Sequence, residues 1–328
     1  MKVMIFGGAG FVGRNLGRRC IEEGHGVTTV DNLCVAPAEP APSGVYIYKE
    51  DVCDRAAMMD ILKREVPDVI FWLAAKQGYH RDWSTYSHTN NTALYNLFNG
   101  ISAVRGIYKP KVVIASSQAV YHPTISASET DLTDPPSIYG WTKLQAEMSA
   151  LWLARHIGLR DMVVLRYSII LGAGQSLQSS ESGLLRNWYR AYQEGRPIQV
   201  YGTGKHIRDF VSIDDVTEAN MKAMEHDCTA PGPQAFNIHG FEASILKMVD
   251  LFKAAVFARC TDNAQISTNV MNEEVRPGGE YSLTSCGDKA LAHFGWKPEK
   301  EIYDQIVDFL DKLPLRNDNP VHETSSPG

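Results

Sequence analysis

The chain opens with a short apolar run, Lys2 to Phe6, that stops at Gly7-Gly8-Ala9-Gly10-Phe11-Val12-Gly13. A helical stretch, Arg14 to Glu23, follows, and then a second strand, Val27 to Val30, ending in Asp31-Asn32. No other segment restricts the fold so strongly. Glycines between a strand and a helix let the backbone approach a pyrophosphate, whose charge the helix N-terminus favours. Asp31 follows Gly13 at close to the spacing of about 20 residues at which an acid holds the hydroxyls of an adenosine ribose. This order predicts a dinucleotide site made by Gly7, Gly10, Phe11, Val12, Gly13, Asp31 and Asn32. A carboxylate there repels a 2′-phosphate, and no arginine or lysine follows it before Lys49, so NAD is expected rather than NADP.

The next segments keep the alternation going. Residues 34–44 are rich in proline and alanine and read as a surface loop, after which Val45 to Tyr48 is a third strand. Asp51-Val52-Cys53-Asp54 opens a helix through Arg64, and Val69 to Leu73 is a continuous apolar run, as expected of a parallel strand covered on both faces. It ends in Ala74-Ala75, small enough to let a cofactor lie close. A helix over Thr89–Ala103, a strand over Val112–Ala115 and a strand over Met162–Leu165 complete the pattern. The expected class is α/β, a Rossmann-type doubly wound parallel sheet. At 328 residues the chain is long enough for a second, smaller lobe.

Two Tyr-x-x-x-Lys spacings occur, Tyr139/Lys143 and Tyr201/Lys205. On a helix such a pair shares one face, and an ammonium beside a phenol favours the phenolate, lowering a pKa that is otherwise about 10. The second copy is interrupted by Gly202 and Gly204 and reads as a turn. The first follows Pro135-Pro136, consistent with a helix from near Ser137 to about His156, so Tyr139 and Lys143 fall in its first turns, facing the sheet. Ser117 ends the strand before it, beyond the carboxyl ends of the strands where ligands of such sheets bind.

A net charge of -6 argues against nucleic-acid binding through a bulk basic surface. No apolar run approaches the roughly 20 residues of a membrane helix, and the N-terminus lacks the layout of a signal peptide. The six cysteines include no Cys-x-x-Cys pair and the ten histidines form no metal-type spacing, so the expectation is reduced thiols, no metal and a cytoplasmic protein.

Together these residues resemble the NAD-dependent epimerase/dehydratase family of extended short-chain dehydrogenases/reductases, which acts on nucleotide sugars. The resemblance runs from Met1 to about Ile302. Beyond the glycine turn and Asp31, its marks are Asp51-Val52, Leu73-Ala74-Ala75, Asn90 with Asn96-Leu97, Ser116-Ser117 with Val120-Tyr121, and Tyr139/Lys143. Arg166-Tyr167, Gly204 with Arg208-Asp209-Phe210-Val211, Asp214-Asp215-Val216, Arg276-Pro277-Gly278 and Gly295-Trp296 complete them. It implies that Tyr139 is the base and acid on a sugar hydroxyl, that Lys143 holds the nicotinamide ribose, and that Ser117 aligns the same sugar oxygen. Asp51, Val52, Leu73, Ala74, Ala75, Asn90, Ser116 and Tyr167 join the implied cofactor site. Gln77 and Gln118 are placed beside the sugar, Val200 and Tyr201 beside the nucleotide base, and Arg208 and Arg276 on the diphosphate.

The scaffold alone does not choose a reaction. The family's 4,6-dehydratases carry Asp-Glu directly after the serine or threonine; here Gln118 and Ala119 stand there, and neither is a general acid or base. The resemblance therefore implies 4-epimerisation through a transient 4-keto sugar. An NAD-dependent oxidoreductase or decarboxylase is the alternative, with a dehydratase or a non-catalytic NAD-binding protein behind it. Three departures concern the sugar: His122 after Val-Tyr, Ile169-Ile170 where asparagine is usual, and Lys76-Gln77-Gly78-Tyr79-His80. The expected division is 1–172 as the NAD-binding domain, with 210–240 returning to it, and 173–209 and 241–313 as the nucleotide-sugar lobe. Residues 314–328 are polar and proline-punctuated and read as a disordered tail. By analogy with the family, helices Thr89–Ala103 and Ser137–His156 imply a homodimer.

Overall fold

The computed structural model describes residues 1–35, 40–77, 82–104, 108–177, 183–228, 232–259, 266–271 and 281–314. The chain begins β1 (Lys2–Phe6), α1 (Phe11–Glu22), β2 (Gly26–Val30), β3 (Tyr46–Tyr48), α2 (Arg55–Glu65), β4 (Val69–Trp72) and α3 (Trp83–Ser87). One π-helical turn (His88–Thr92) leads into α4 (Ala93–Ala103), β5 (Lys111–Ser117), a 3-10 turn (Gln118–Val120), α5 (Ile138–His156) and β6 (Met162–Tyr167). Then come β7 (Ile169–Leu171), α6 (Leu184–Gln193), β8 (Ile198–Tyr201), β9 (Ile207–Ser212), α7 (Ile213–Glu225) and β10 (Gln234–Ile238). The described chain ends with β11 (Phe241–Ser244), α8 (Ile245–Phe257), β12 (Thr268–Met271), α9 (Asp288–Phe294) and α10 (Ile302–Asp311).

Seven strands form one sheet in the order β10-β6-β5-β4-β1-β2-β3, and every neighbouring pair is parallel. The order reverses between β1 and β4, which opens a crevice beyond their carboxyl ends. Because the sheet is covered on both sides, its central strands are buried, all four residues of β4 and all six of β6. One face carries a core with Leu16 and Cys20 of α1 and Val216 and Ala219 of α7. The other packs Leu62 of α2, Leu97 and Phe98 of α4, and Ala146 and Ala150 of α5. The last strand of this sheet in chain order, β10, lies beside β6.

A smaller lobe contains a three-stranded sheet, β11-β9-β7, and a β12-β8 pair. Its core joins Trp188 and Tyr192 of α6, Phe252 of α8 and Phe309 of α10. The two parts are stitched at Asp215, whose carbonyl accepts the Trp296 indole N–H at 2.9 Å while its carboxylate receives the backbone N–H groups of Glu299 and Lys300. Residues 281–286 form a second seam: Leu283 N–H donates to the Ile207 carbonyl, and Cys286 N–H donates to that of Ala127.

Two expectations shift. The helix read from Thr89 begins as a π turn, because that turn turns Asn90 and Asn91 inward to bind Lys76, Thr142 and Gln145. The strand read as ending at Ala115 continues to Ser117, since β6 also runs on and pairs Ser116 with Arg166 and Ser117 with Tyr167. The tail read at 314–328 falls outside the described residues from 315 onward.

Candidate active site

The crevice is lined first by the glycine turn. Gly7 has φ +81°, and a side-chain carbon there would stand 2.7 Å from the Ala74 nitrogen, so only glycine lets β1 and the end of β4 meet at the switch point. A carbon on Gly13 would stand 2.6 Å from the Gly8 Cα, so α1 closes tightly on the turn. Gly10 caps α1 with no side-chain hydrogen bond, and no acid lies in the first turn. Among the described residues no N-cap side chain therefore binds the first N–H groups of α1, at Phe11, Val12 and Gly13, as an anion site requires.

Asp31, at the end of β2, accepts the Ala9 N–H on one oxygen at 3.0 Å and the Leu33 N–H on the other at 2.9 Å. The acid is braced by the turn and by its own loop, leaving lone pairs for two ribose hydroxyls. Asn32 donates to Asp51 at 2.9 Å, and Asp51 also accepts the Cys53 N–H at 2.8 Å. Partial burial alone would raise the Asp51 pKa, but these hydrogen bonds hold it below the usual carboxylate range. The cradle that side-chain carbons would fill, the uncapped N-terminus and the braced acid fit a dinucleotide. They would hold its pyrophosphate and adenosine ribose.

α5, which carries Tyr139 and Lys143, packs against β5, which ends in Ser117, and against the 3-10 turn that follows it. Ser137 caps α5 by accepting the Gly140 N–H at 3.0 Å. Lys143 is buried and donates to the Ala115 carbonyl at 3.0 Å, so it faces the end of β5 as expected. Burial pushes its pKa down to about 8, against the pull of the Glu147 carboxylate. Tyr139 is half-buried, its ring 6.3 Å from that of Tyr86. Ser117 accepts the Ala119 N–H at 3.2 Å through its hydroxyl oxygen. The rival pair separates as read: Gly202 and Gly204 both have positive φ, and Tyr201 and Lys205 are exposed.

The other expected residues have these surroundings. Asn90 gives its side chain to the protein, accepting the Lys76 N–H at 2.7 Å and donating to Thr142 at 3.0 Å. It thereby ties the segment after Ala75 to α5. The Ser116 hydroxyl donates to Glu147, and the buried Tyr167 hydroxyl donates to Asn220 at 2.9 Å. Val52 and Val200 are buried in the two cores, while Leu73, Ala74 and Ala75 are half-buried along the crevice. Gln77 is exposed. Arg208 lies with its guanidinium 4.5 Å from the Tyr281 ring centroid, on the lobe side. Arg276, with Gly78, Tyr79 and His80, lies outside the described residues. Gln118 is buried, and its side-chain carbonyl has no hydrogen-bond partner among the described residues.

Sequence reading passed over Gly140 and Glu147. A side-chain carbon on Gly140 would collide with the Ala119 carbonyl oxygen, so this glycine lets α5 close on the turn after Ser117. Glu147 is buried and binds Arg166 through three hydrogen bonds of 2.7–3.2 Å. Two signals were available: a glycine inside a helix, and an arginine ending the apolar strand Met162-Val163-Val164-Leu165.

A dinucleotide cradle at the switch point, with a tyrosine, a buried lysine and a serine beyond the strand ends, defines an NAD-dependent enzyme of the extended short-chain class. The chain belongs to the NAD dependent epimerase/dehydratase family, whose match spans residues 3–238. It is similar to the UDP-glucose 4-epimerase of Lactobacillus helveticus, at 24% identity over 94% of this chain and 95% of that one. It is also similar to the dTDP-L-rhamnose 4-epimerase of Burkholderia thailandensis, at 27% identity over 91% of each. Among solved structures, the UDP-glucose 4-epimerase of Thermotoga maritima with UDP-glucose matches with a TM-score of 0.81 at 25% identity, covering 95% of this chain and 98% of that chain. MoeE5 in complex with UDP-glucuronic acid and NAD matches at 26% identity with the same TM-score and coverage.

Proposed function

We propose that the protein is a nucleotide-sugar 4-epimerase. The observation that carries this reading is the set Ser117, Tyr139 and Lys143, followed by Gln118 and Ala119 rather than by acids. The residues can move one proton at a sugar hydroxyl, and nothing at those two positions can eliminate water. NAD, when bound, supplies hydride acceptance and return at the sugar carbon. Tyr139 takes the hydroxyl proton and gives it back, Ser117 hydrogen-bonds the same oxygen, and Lys143 keeps a positive charge beside the phenol and the nicotinamide ribose. Arg208 and Arg276 grip the diphosphate, since a guanidinium fork matches phosphate oxygens. The 4-epimerase relatives support the reading.

The test is turnover of a panel of UDP- and dTDP-sugars followed by NMR. Stereochemical change at C4 with no change of mass is expected, abolished in Tyr139→Phe. A second reading, net oxidation or decarboxylation, is favoured by 28% identity to a UDP-N-acetyl-alpha-D-glucosaminuronate decarboxylase of Bacillus cytotoxicus over 68% of this chain. NADH building up one-to-one with product would replace the epimerase reading with that one.

The working form is a homodimer joined through α4 and α5. Met148 and Trp152 on α5 are each 62% exposed, and with Trp83, Tyr95 and Trp141 they border a groove of about 570 Å³. A second copy would cover this aromatic face. Among the described residues no helix is long and apolar enough to cross a membrane.

A further inference from the structure

The inner face of α5 carries Tyr139, Lys143 and Glu147 on successive turns. Glu147 is 3% exposed, and its carboxylate accepts the Arg166 Nε–H at 3.0 and 3.2 Å, the Arg166 Nη2–H at 2.7 Å and the Ser116 hydroxyl. Arg166 donates in turn through Nη1 to the Tyr121 hydroxyl at 2.8 Å. Tyr121 donates to Asn237 at 2.7 Å, whose N–H groups reach Glu129 and the Ala127 and Cys286 carbonyls. Every link is buried or half-buried. Ser116 and Tyr121 flank the Ser117 turn, so the chain of bonds holds that turn from both ends.

As a stability device such a pair is weak, because the desolvation of two charges offsets most of their attraction. An apolar pair would hold the fold about as well. It could not place a negative charge one helical turn from a buried ammonium.

We propose that Glu147 is the positioning residue of this site: fixed by Arg166 and Ser116, it keeps Lys143 an ammonium and so keeps Tyr139 acidic enough to work. The inference rests on the reading of Tyr139 and Lys143 given above. Among the described residues, the attraction of Glu147 is the charge effect that opposes the desolvation of Lys143. Among the described residues, the other ionisable groups on elements packed around α5 are Tyr86 on α3, whose ring lies against Tyr139, His88 and Tyr95 on the π turn and α4, and Lys111 at the start of β5, which is bound to Asp161. Arg166 and Tyr121 lie beyond Glu147 and are bound to it in series.

The experiment titrates Tyr139 in the purified full chain. Near-ultraviolet phenolate absorbance is recorded for wild type, Glu147→Gln and Glu147→Asp, each minus the same chain carrying Tyr139→Phe. Without the carboxylate, Lys143 loses its proton at lower pH and the phenol loses its cation. The Tyr139 midpoint is expected to rise by about one pH unit or more in Glu147→Gln, a tenfold change in proton affinity, and to stay near wild type in Glu147→Asp. An unchanged midpoint in Glu147→Gln, or an equal rise in both variants, overturns the proposal. If Glu147→Gln fails to fold because Arg166 is left unpaired, the comparison is made in the Arg166→Gln background, where adding Glu147→Gln removes the carboxylate alone and the same rise is expected. No substrate is needed, so a wild-type chain that epimerises nothing counts against the proposed function and leaves this titration standing.

Discussion

Gly140 lies directly against the carbonyl oxygen of Ala119. A side-chain carbon on Gly140 would overlap that oxygen and stand 2.7 Å from the Pro135 Cβ. The start of α5, which carries Tyr139, is therefore held against the turn that follows Ser117. Both obstacles are parts of the backbone or of a rigid ring, so neither can yield cheaply. Gly140→Ala is expected to push the helix off the turn, costing roughly 1–3 kcal/mol of stability and at least tenfold in kcat. Denaturant unfolding and steady-state kinetics on the variant measure both.

Lys143 is a site where function is held at the expense of stability. Its pKa is pushed down to about 8 in the folded chain, from 10.5 when unfolded. The folded state therefore binds this proton more weakly than the unfolded state does. The associated stability is present above pH 10.5 and is lost as pH falls through about 8. Lys143→Met is expected to abolish turnover and to be more stable than wild type near pH 7, by ~1–2 kcal/mol once the orphaned Ala115 carbonyl is allowed for. The advantage should vanish near pH 10, as paired denaturation curves at the two pH values would show.

Asp31 is braced by Ala9 and Leu33, so its charge is fixed where an adenosine ribose would lie. Asp31→Ala is expected to weaken NAD binding by about tenfold and to reduce the preference for NAD over NADP. Calorimetric titration with each dinucleotide gives both quantities. Equal binding of the two by wild type would contradict the assignment.

Gln118 presents a buried carbonyl to which no group among the described residues donates. Under the proposed function its donor is a hydroxyl of the sugar. Gln118→Leu removes no protein hydrogen bond, so the melting temperature should hold or rise. The kcat/KM for the nucleotide sugar should fall about tenfold, the value of one lost hydrogen bond to substrate. A variant with normal kinetics would remove Gln118 from the site.

The exposed α4–α5 face gives the assembly prediction. Trp152, stacked on His156 with ring centroids 5.1 Å apart, stands 62% exposed. Trp152→Glu is expected to shift a dimeric wild type towards monomer by light scattering, with little loss of intrinsic stability. A wild type that is already monomeric at micromolar concentration would reject the dimer.

The glycine turn, the apolar strands and the acid after β2 were legible because each rests on short-range constraints: positive φ, period and spacing. Tyr139 and Lys143 were legible as a pair for the same reason, since an α-helix fixes which residues share a face. The sequence by itself thus determined the class of fold, the family and the NAD cofactor. Only the tertiary structure decided which protein groups the polar side chains bind. Asn90, Ser116 and Tyr167 give their side chains to Thr142, Glu147 and Asn220, partners 52, 31 and 53 residues away along the chain. Glu147 became visible through Arg166, and Gly140 through Ala119, contacts made only when β5, β6 and α5 pack together. Hydrogen bonding and steric exclusion act through space, and sequence spacing reports space only within one helix or one turn.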